Sequence, residues 1–119
     1  MIGELEAVVL DTRDPHRLAA FYREVIGAEI VVERRDWVTI ADRQGRKLSF
    51  QTAPGHEAPR FPDPAGSQQF HLDVHVEDVD EAERKVLELG ATRVPNANED
   101  RTFRVYRDPA GHPFCLVFD

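Results

Sequence analysis

The second half of this 119-residue chain repeats the order of signals in its first half. A strand-like apolar run leads to Asp14, a helical pattern and then Gly27-Ala28; past the middle a similar run leads to Asp78, a helical pattern and then Gly90-Ala91. The two aspartates stand 64 residues apart and the two glycines 63. A near-constant offset held across half a chain points to duplication of one supersecondary unit. The fold therefore has to be one that two copies of strand, helix and further strands can build.

Each copy reads in physical terms. Glu4 to Asp11 is apolar and β-branched at its centre, which predicts a strand. Asp14-Pro15 supplies a helix cap followed by proline at the first helical position. Leu18, Phe21, Tyr22, Val25 and Ile26 recur at helical spacing, and Gly27 ends the helix. Strands are expected near Glu29 to Arg34, Trp37 to Ala41 and Lys47 to Gln51, with Arg43-Gln44-Gly45 turning the last pair. In the second copy Gln69 to Val76 is a strand, and Val79, Ala82, Val86 and Leu89 mark one face of a helix ended by Gly90. Strands follow near Thr92 to Val94, Thr102 to Arg107 and Phe114 to Phe118, with a turn at Asp108-Pro109-Ala110-Gly111. The reading is α+β: one domain over 1–119, with module one about 1–52, a linker about 53–68 and module two about 69–119. The linker carries Pro54, Pro59, Pro62 and Pro64 and reads as an ordered surface connector, or as a lid with Phe61 as its apolar tip.

One strand carries chemistry. His71-Leu72-Asp73-Val74-His75-Val76 alternates strictly, and side chains two apart share a face. Leu72, Val74 and Val76 should pack on a helix. His71, Asp73 and His75 face the other way, where burying three polar groups in an apolar core would be costly; that face is expected to line a cavity holding water or ligand. Residues two apart on a strand are separated by about 6.6 Å and residues four apart by about 13 Å, so neighbours in the trio can share a metal while His71 and His75 cannot. Asp73 can also simply hydrogen-bond a histidine and fix its tautomer.

Composition narrows the partners. The net charge is −7 with no Lys/Arg stripe, so nucleic acid is a poor partner. Apolar runs such as Ala7 to Leu10 and Phe114 to Phe118 are strand length and too short to cross a bilayer. The single cysteine, Cys115, excludes an intrachain disulfide framework. With no signal peptide in view, a cytoplasmic location is expected.

Leu18 to Tyr22 followed by Gly27, the segment His71 to Asp78, and Asp108-Pro109-Ala110-Gly111-His112-Pro113-Phe114 together resemble the glyoxalase / bleomycin resistance / dioxygenase (vicinal oxygen chelate) superfamily, and within it the glyoxalase-like domain group. The resemblance covers nearly the whole chain. It implies two βαβββ modules forming a curved half-open barrel with helices outside, a central pocket and homodimers. In metal-dependent members the ligands come from the first and fourth strands of each module. Carried over, those positions fall on Ala7, Gln51, His71 and Cys115. His71 alone is a usual ligand of the family; Ala7 offers none, Gln51 is a weak oxygen donor, and Cys115 between Phe114 and Leu116 reads as a small buried thiol. Glyoxalase I chemistry needs a carboxylate beside the metal, and extradiol dioxygenases need two histidines and a carboxylate on iron; neither set is present at these positions.

Trp37 and Tyr106, on middle strands, are candidates to stack on a planar ligand, and Arg104 to meet an anionic one. The expected ligand-binding residues are Trp37, Gln51, His71, Asp73, His75, Arg104 and Cys115. His71 and Asp73 are the candidates for acid/base catalysis, and His71 for metal ligation. No resident cofactor is expected, with a divalent metal left open. The expected partner is a small organic ligand, bound without metal. The competing readings are a lyase or isomerase with altered metal ligation, acid/base catalysis through His71 and Asp73, and an interaction domain working through a dimer surface.

Overall fold

A computed structural model describes residues 1–61, 63–66, 70–95 and 102–118. The chain divides into two compact units, Met1–His56 and Glu57–Asp119. The first holds β1 (Val8–Thr12), α1 (Pro15–Ile26), β2 (Glu29–Arg34), β3 (Trp37–Ala41) and β4 (Lys47–Thr52). The second holds β5 (Leu72–His75), α2 (Val79–Glu88), β6 (Thr92–Arg93), β7 (Phe103–Arg107) and β8 (Pro113–Val117). These are the two βαβββ modules that the repeat implies.

Both helices start for the reason the sequence suggests. Asp14 and Asp78 sit in extended backbone, and their carboxylates accept from Arg17 N and Glu81 N, each at 3.1 Å. Such caps stabilise a helix by about 1 kcal/mol relative to alanine. Gly27 ends α1 at φ 65°, a left-handed conformation that glycine adopts without the steric cost a Cβ brings.

The sheets share one topology. The strand orders are β1-β4-β3-β2 and β5-β8-β7-β6. In each, the strand before the helix pairs in parallel with the last strand, and the other pairs are antiparallel. Pairing trims the expected strands. β1 begins at Val8 rather than Glu4 because its partnership with β4 begins at Val8↔Leu48. β6 is only two residues long, paired as Thr92↔Arg107 and Arg93↔Tyr106. β8 starts one residue early at Pro113, where a missing N–H is tolerated because it is the first residue of the strand. Gln69, the expected start of the fifth strand, and Pro62 and Ser67 of the linker lie outside the described residues.

Each unit packs its helix on one face of its own sheet. Leu18, Phe21 and Tyr22 of α1 are buried with Leu10, Val38, Ile40, Leu48 and Phe50. Tyr22 stacks on Phe50 with ring centroids 5.8 Å apart and meets Phe21 edge-on at 4.9 Å. In the second unit Val86 of α2 is buried with Phe114 and Leu116 of β8, and Tyr106 stacks on Phe114 at 5.4 Å. The linker is tied at both of its ends. Ala53 N donates to Thr12 O and Arg13 Nε to His56 O in the first unit. In the second, Arg107 donates to the carbonyls of Pro59 and Phe61.

Candidate functional site

The strand alternation read from the sequence is present in β5: His71, Asp73 and His75 are exposed, while Leu72, Val74 and Val76 are partly covered. The register fixes what lies beside the polar face. Asp73 pairs with Cys115 and His75 with Val117 on β8, and Cys115 pairs in turn with Val105 on β7. This face is the one turned away from α2.

Three side chains converge here. His71 Nε2 stands 3.2 Å from Asp73 Oδ1. Cys115 is buried at 4% exposure, directly beside Asp73 in the strand register. Burial, then the charge and hydrogen bond of Asp73, push the Cys115 thiol up to about 11. A donor atom from each of His71, Asp73 and Cys115 lies within 4.8 Å of the others. His75 is on the same face but outside this cluster, as the rise along a strand predicts. The ring of Phe61 lies 6.0 Å from that of His71.

The donor set can be tested against a metal ion. One nitrogen, one carboxylate oxygen and one sulfur suit a borderline ion such as zinc better than manganese, which prefers oxygen. Ligation would require the thiolate, against a thiol that burial and Asp73 both hold protonated. The three residues could hold a thiophilic ion, which would supply Lewis-acid chemistry there.

Two expected ligand contacts lie elsewhere in the second unit. Arg104 and Tyr106 alternate with Val105 and point to the α2 side. Arg104 pairs with Asp80 at 2.9 Å and Glu83 at 3.4 Å, and its guanidinium sits 5.8 Å from the Phe118 ring centroid. Tyr106 is fully buried and its hydroxyl donates to Glu83 at 2.8 Å. Acidic residues on α2 draw both away from the His71 face.

Trp37 and Gln51 belong to the first unit. Gln51 pairs with Asp11 on one side and Trp37 on the other, and its amide donates to Asp11 Oδ1 at 2.9 Å. Trp37 Nε1 donates to Thr39 Oγ1 at 2.9 Å, and the Thr39 and Ser49 hydroxyls share a buried hydrogen bond of 2.8 Å. The hairpins of the two units superpose in register at an offset of 66: Ala41↔Lys47 matches Arg107↔Pro113, and Thr39↔Ser49 matches Val105↔Cys115. By register the counterpart of Cys115 is therefore Ser49, not Gln51. The resemblance placed that position on Gln51, and Ser49 carries no sequence signal of its own, since only the strand pairing aligns it with Cys115.

Comparison with known proteins agrees with this architecture. A family model described as glyoxalase-like domain matches residues 7–117. No curated protein matches the chain. Among solved structures, the chain is similar to a glyoxalase/bleomycin resistance protein/dioxygenase family enzyme from Burkholderia phytofirmans PsJN, with TM-score 0.74, 21% identity and 98% of each chain covered. It is also similar to a glyoxalase family protein from Enterococcus faecalis, with TM-score 0.69, 21% identity and 98% of each chain covered. A third is the fosfomycin resistance protein FosX from Listeria monocytogenes, complexed with Mn(II) and sulfate, with TM-score 0.72 and 18% identity, covering 99% of this chain and 91% of that one. With two βαβββ modules and a family match across nearly its whole length, the chain belongs to the glyoxalase-like domain family of the vicinal oxygen chelate superfamily.

Proposed function

We propose that the protein binds a small organic molecule at the polar face of its second module and does so without a resident metal. The observation that carries this reading is the state of Asp73. Its carboxylate lies 3.2 Å from His71 and beside the buried Cys115, whose thiol is held protonated by burial first and then by Asp73, so the sulfur a metal would need is kept neutral while His71 and Asp73 still face outward. His71 and His75 present hydrogen-bonding groups along an exposed strand face, and Phe61 offers an apolar surface beside them. In the first module, Asp11, Gln51 and Trp37 form a second polar and aromatic row that a ligand could use. Arg104 is left out of this site, because its guanidinium is engaged by Asp80 and Glu83.

A second reading has one observation in its favour: the His71, Asp73 and Cys115 donors are close enough to share an ion. Under it the protein is an enzyme with altered metal ligation, or one in which the His71–Asp73 pair moves a proton. Under either reading we place the protein in the cytoplasm as a homodimer with a small-molecule partner. The net charge of −7 argues against nucleic acid. No helix among the described residues is long and apolar enough to cross a membrane.

Elemental analysis of protein purified without chelator or added metal separates the two readings, with His71→Ala as control. The binding reading expects substoichiometric metal and no thermal shift with zinc, nickel, manganese or ferrous iron. Near-stoichiometric metal that His71→Ala abolishes would overturn it and put the enzyme first.

A further inference from the structure

Arg107 ends β7, on the same face as Val105 and hence as Cys115. Its guanidinium donates to three backbone carbonyls. Nη1 reaches Pro59 O at 2.7 Å and Gly111 O at 2.9 Å, and Nη2 reaches Phe61 O at 2.7 Å. The planar fork of arginine can span several acceptors at once, which the compact ammonium of lysine does less well. Two of these carbonyls belong to the linker and the third to the β7–β8 turn, so one side chain fastens the linker to the hairpin.

A second contact holds the same segment. Gly111 has φ 89°, and a Cβ placed on it would collide with the Cβ of Ala58. The turn therefore lets the linker lie directly against it at Ala58, while Arg107 grips Pro59 and Phe61. Between them these contacts leave residues 58–61 little freedom. The segment's one large apolar side chain, Phe61, is half-buried and stands beside His71 with ring centroids 6.0 Å apart.

We propose that Arg107 is the positioning residue of the His71 site: it holds residues 58–61 as a strap and thereby fixes Phe61 as an apolar wall beside the imidazole. This rests on the reading of the His71–Asp73 face as a ligand site. It deepens that reading by naming the ligand's chemistry: a polar group for His71 and Asp73 joined directly to an apolar or flat group that lies on Phe61. Arg107 needs no contact with the ligand.

Modification by diethyl pyrocarbonate at pH 7, followed residue by residue by mass spectrometry, reads the wall without any ligand. Failure here is thus distinct from failure of the binding reading, which metal analysis tests. Phe61→Ala and Arg107→Ala are each expected to speed modification of His71 several-fold, with His16 in the first module at its original rate. The double variant should be no faster than either single one, because both changes remove the same wall. Arg107→Lys guards against misfolding of the alanine variant and should fall between wild type and Arg107→Ala. An unchanged His71 rate in the Arg107 variants would overturn the proposal. So would acceleration at His16 as well, or additive effects in the double variant.

Discussion

Asp42 and Asp108 stand 66 residues apart and hold the same turn in the same way. Each carboxylate Oδ1 accepts the backbone N–H of the second and fourth residues after it: Gln44 and Arg46 at 2.9 Å each, Ala110 at 2.9 Å and His112 at 3.0 Å. Each backbone also closes the turn through the fourth residue's carbonyl, and each turn ends its tight bend at a glycine of positive φ, Gly45 at 81° and Gly111 at 89°. The duplication is thus most faithful at the hairpin tips, and these tips set the register of the strands that carry Ser49 and Cys115.

Asp42→Ala and Asp108→Ala should each destabilise their unit by about 1–3 kcal/mol, since two backbone donors lose their acceptor. Urea denaturation checks this, and a neutral Asp108→Ala would show that the turn holds its shape without the carboxylate. The pH dependence has a definite sign at Asp42. Burial works to raise its pKa, but the hydrogen bonds from Arg46 and Gln44 outweigh it and hold the carboxyl below its usual range. A lowered folded value means that the stability is present above the ordinary carboxylate range and is lost as pH falls through the folded value. Asp42→Asn should flatten that acid arm of the stability curve.

The fold was legible because its signals are local. Asp14-Pro15 and Asp78 cap helices through their own next turn, and the alternation from His71 to Val76 needs only the period of a strand. The cluster was half legible: the polar face of β5 could be read, but its neighbour could not, because pairing Asp73 with Cys115 depends on a register spanning 42 residues. Arg104 and Tyr106 show the same limit from the other side. Alternation separates them from Val105 but does not say which face meets α2; Asp80 and Glu83 decide that. Arg107 left no trace at all, since its partners are backbone carbonyls, which carry no side-chain pattern.

Cys115 should behave as an inert thiol. With its pKa pushed up to about 11, roughly a thousandth of it is thiolate at pH 8. Alkylation by iodoacetamide should be far slower in the native protein than in urea, and fast native alkylation at pH 8 would contradict the burial of the thiol beside the Asp73 carboxylate. The raised folded value also implies a contribution to stability that is complete below about pH 9, the ordinary thiol value, and is lost as pH rises through about 11. Cys115→Ala should therefore lose less stability than wild type over that alkaline window.

Tyr106→Phe isolates the buried end of the α2 contact. Burial first, and then the Glu83 carboxylate, raise the Tyr106 pKa. The phenol therefore stays a donor at every pH where the fold persists. Removing its hydroxyl should cost about 1–2 kcal/mol, softened because Arg93 at 3.0 Å and Arg104 at 3.4 Å still neutralise Glu83. A thermal or urea midpoint equal to wild type would mean that those arginines satisfy Glu83 alone.

The Thr39–Ser49 pair tests whether the position matching Cys115 in the first module is held by its hydrogen bond or merely filled. Ser49 is 2% exposed and Thr39 is 7% exposed. Trp37 Nε1 also donates to the Thr39 oxygen, and either hydroxyl of the pair can be the donor between them. Ser49→Ala leaves the buried Thr39 hydroxyl without that partner and should cost about 1–3 kcal/mol, and Thr39→Val should cost at least as much, because it removes the acceptor of Trp37 Nε1 as well as the partner of Ser49. Removing both hydroxyls leaves neither stranded, so the double variant should lose clearly less than the two single losses combined. Urea denaturation of the four proteins gives the coupling directly. Full additivity would mean that the two hydroxyls are satisfied independently and that the buried bond does not hold this row of the sheet together.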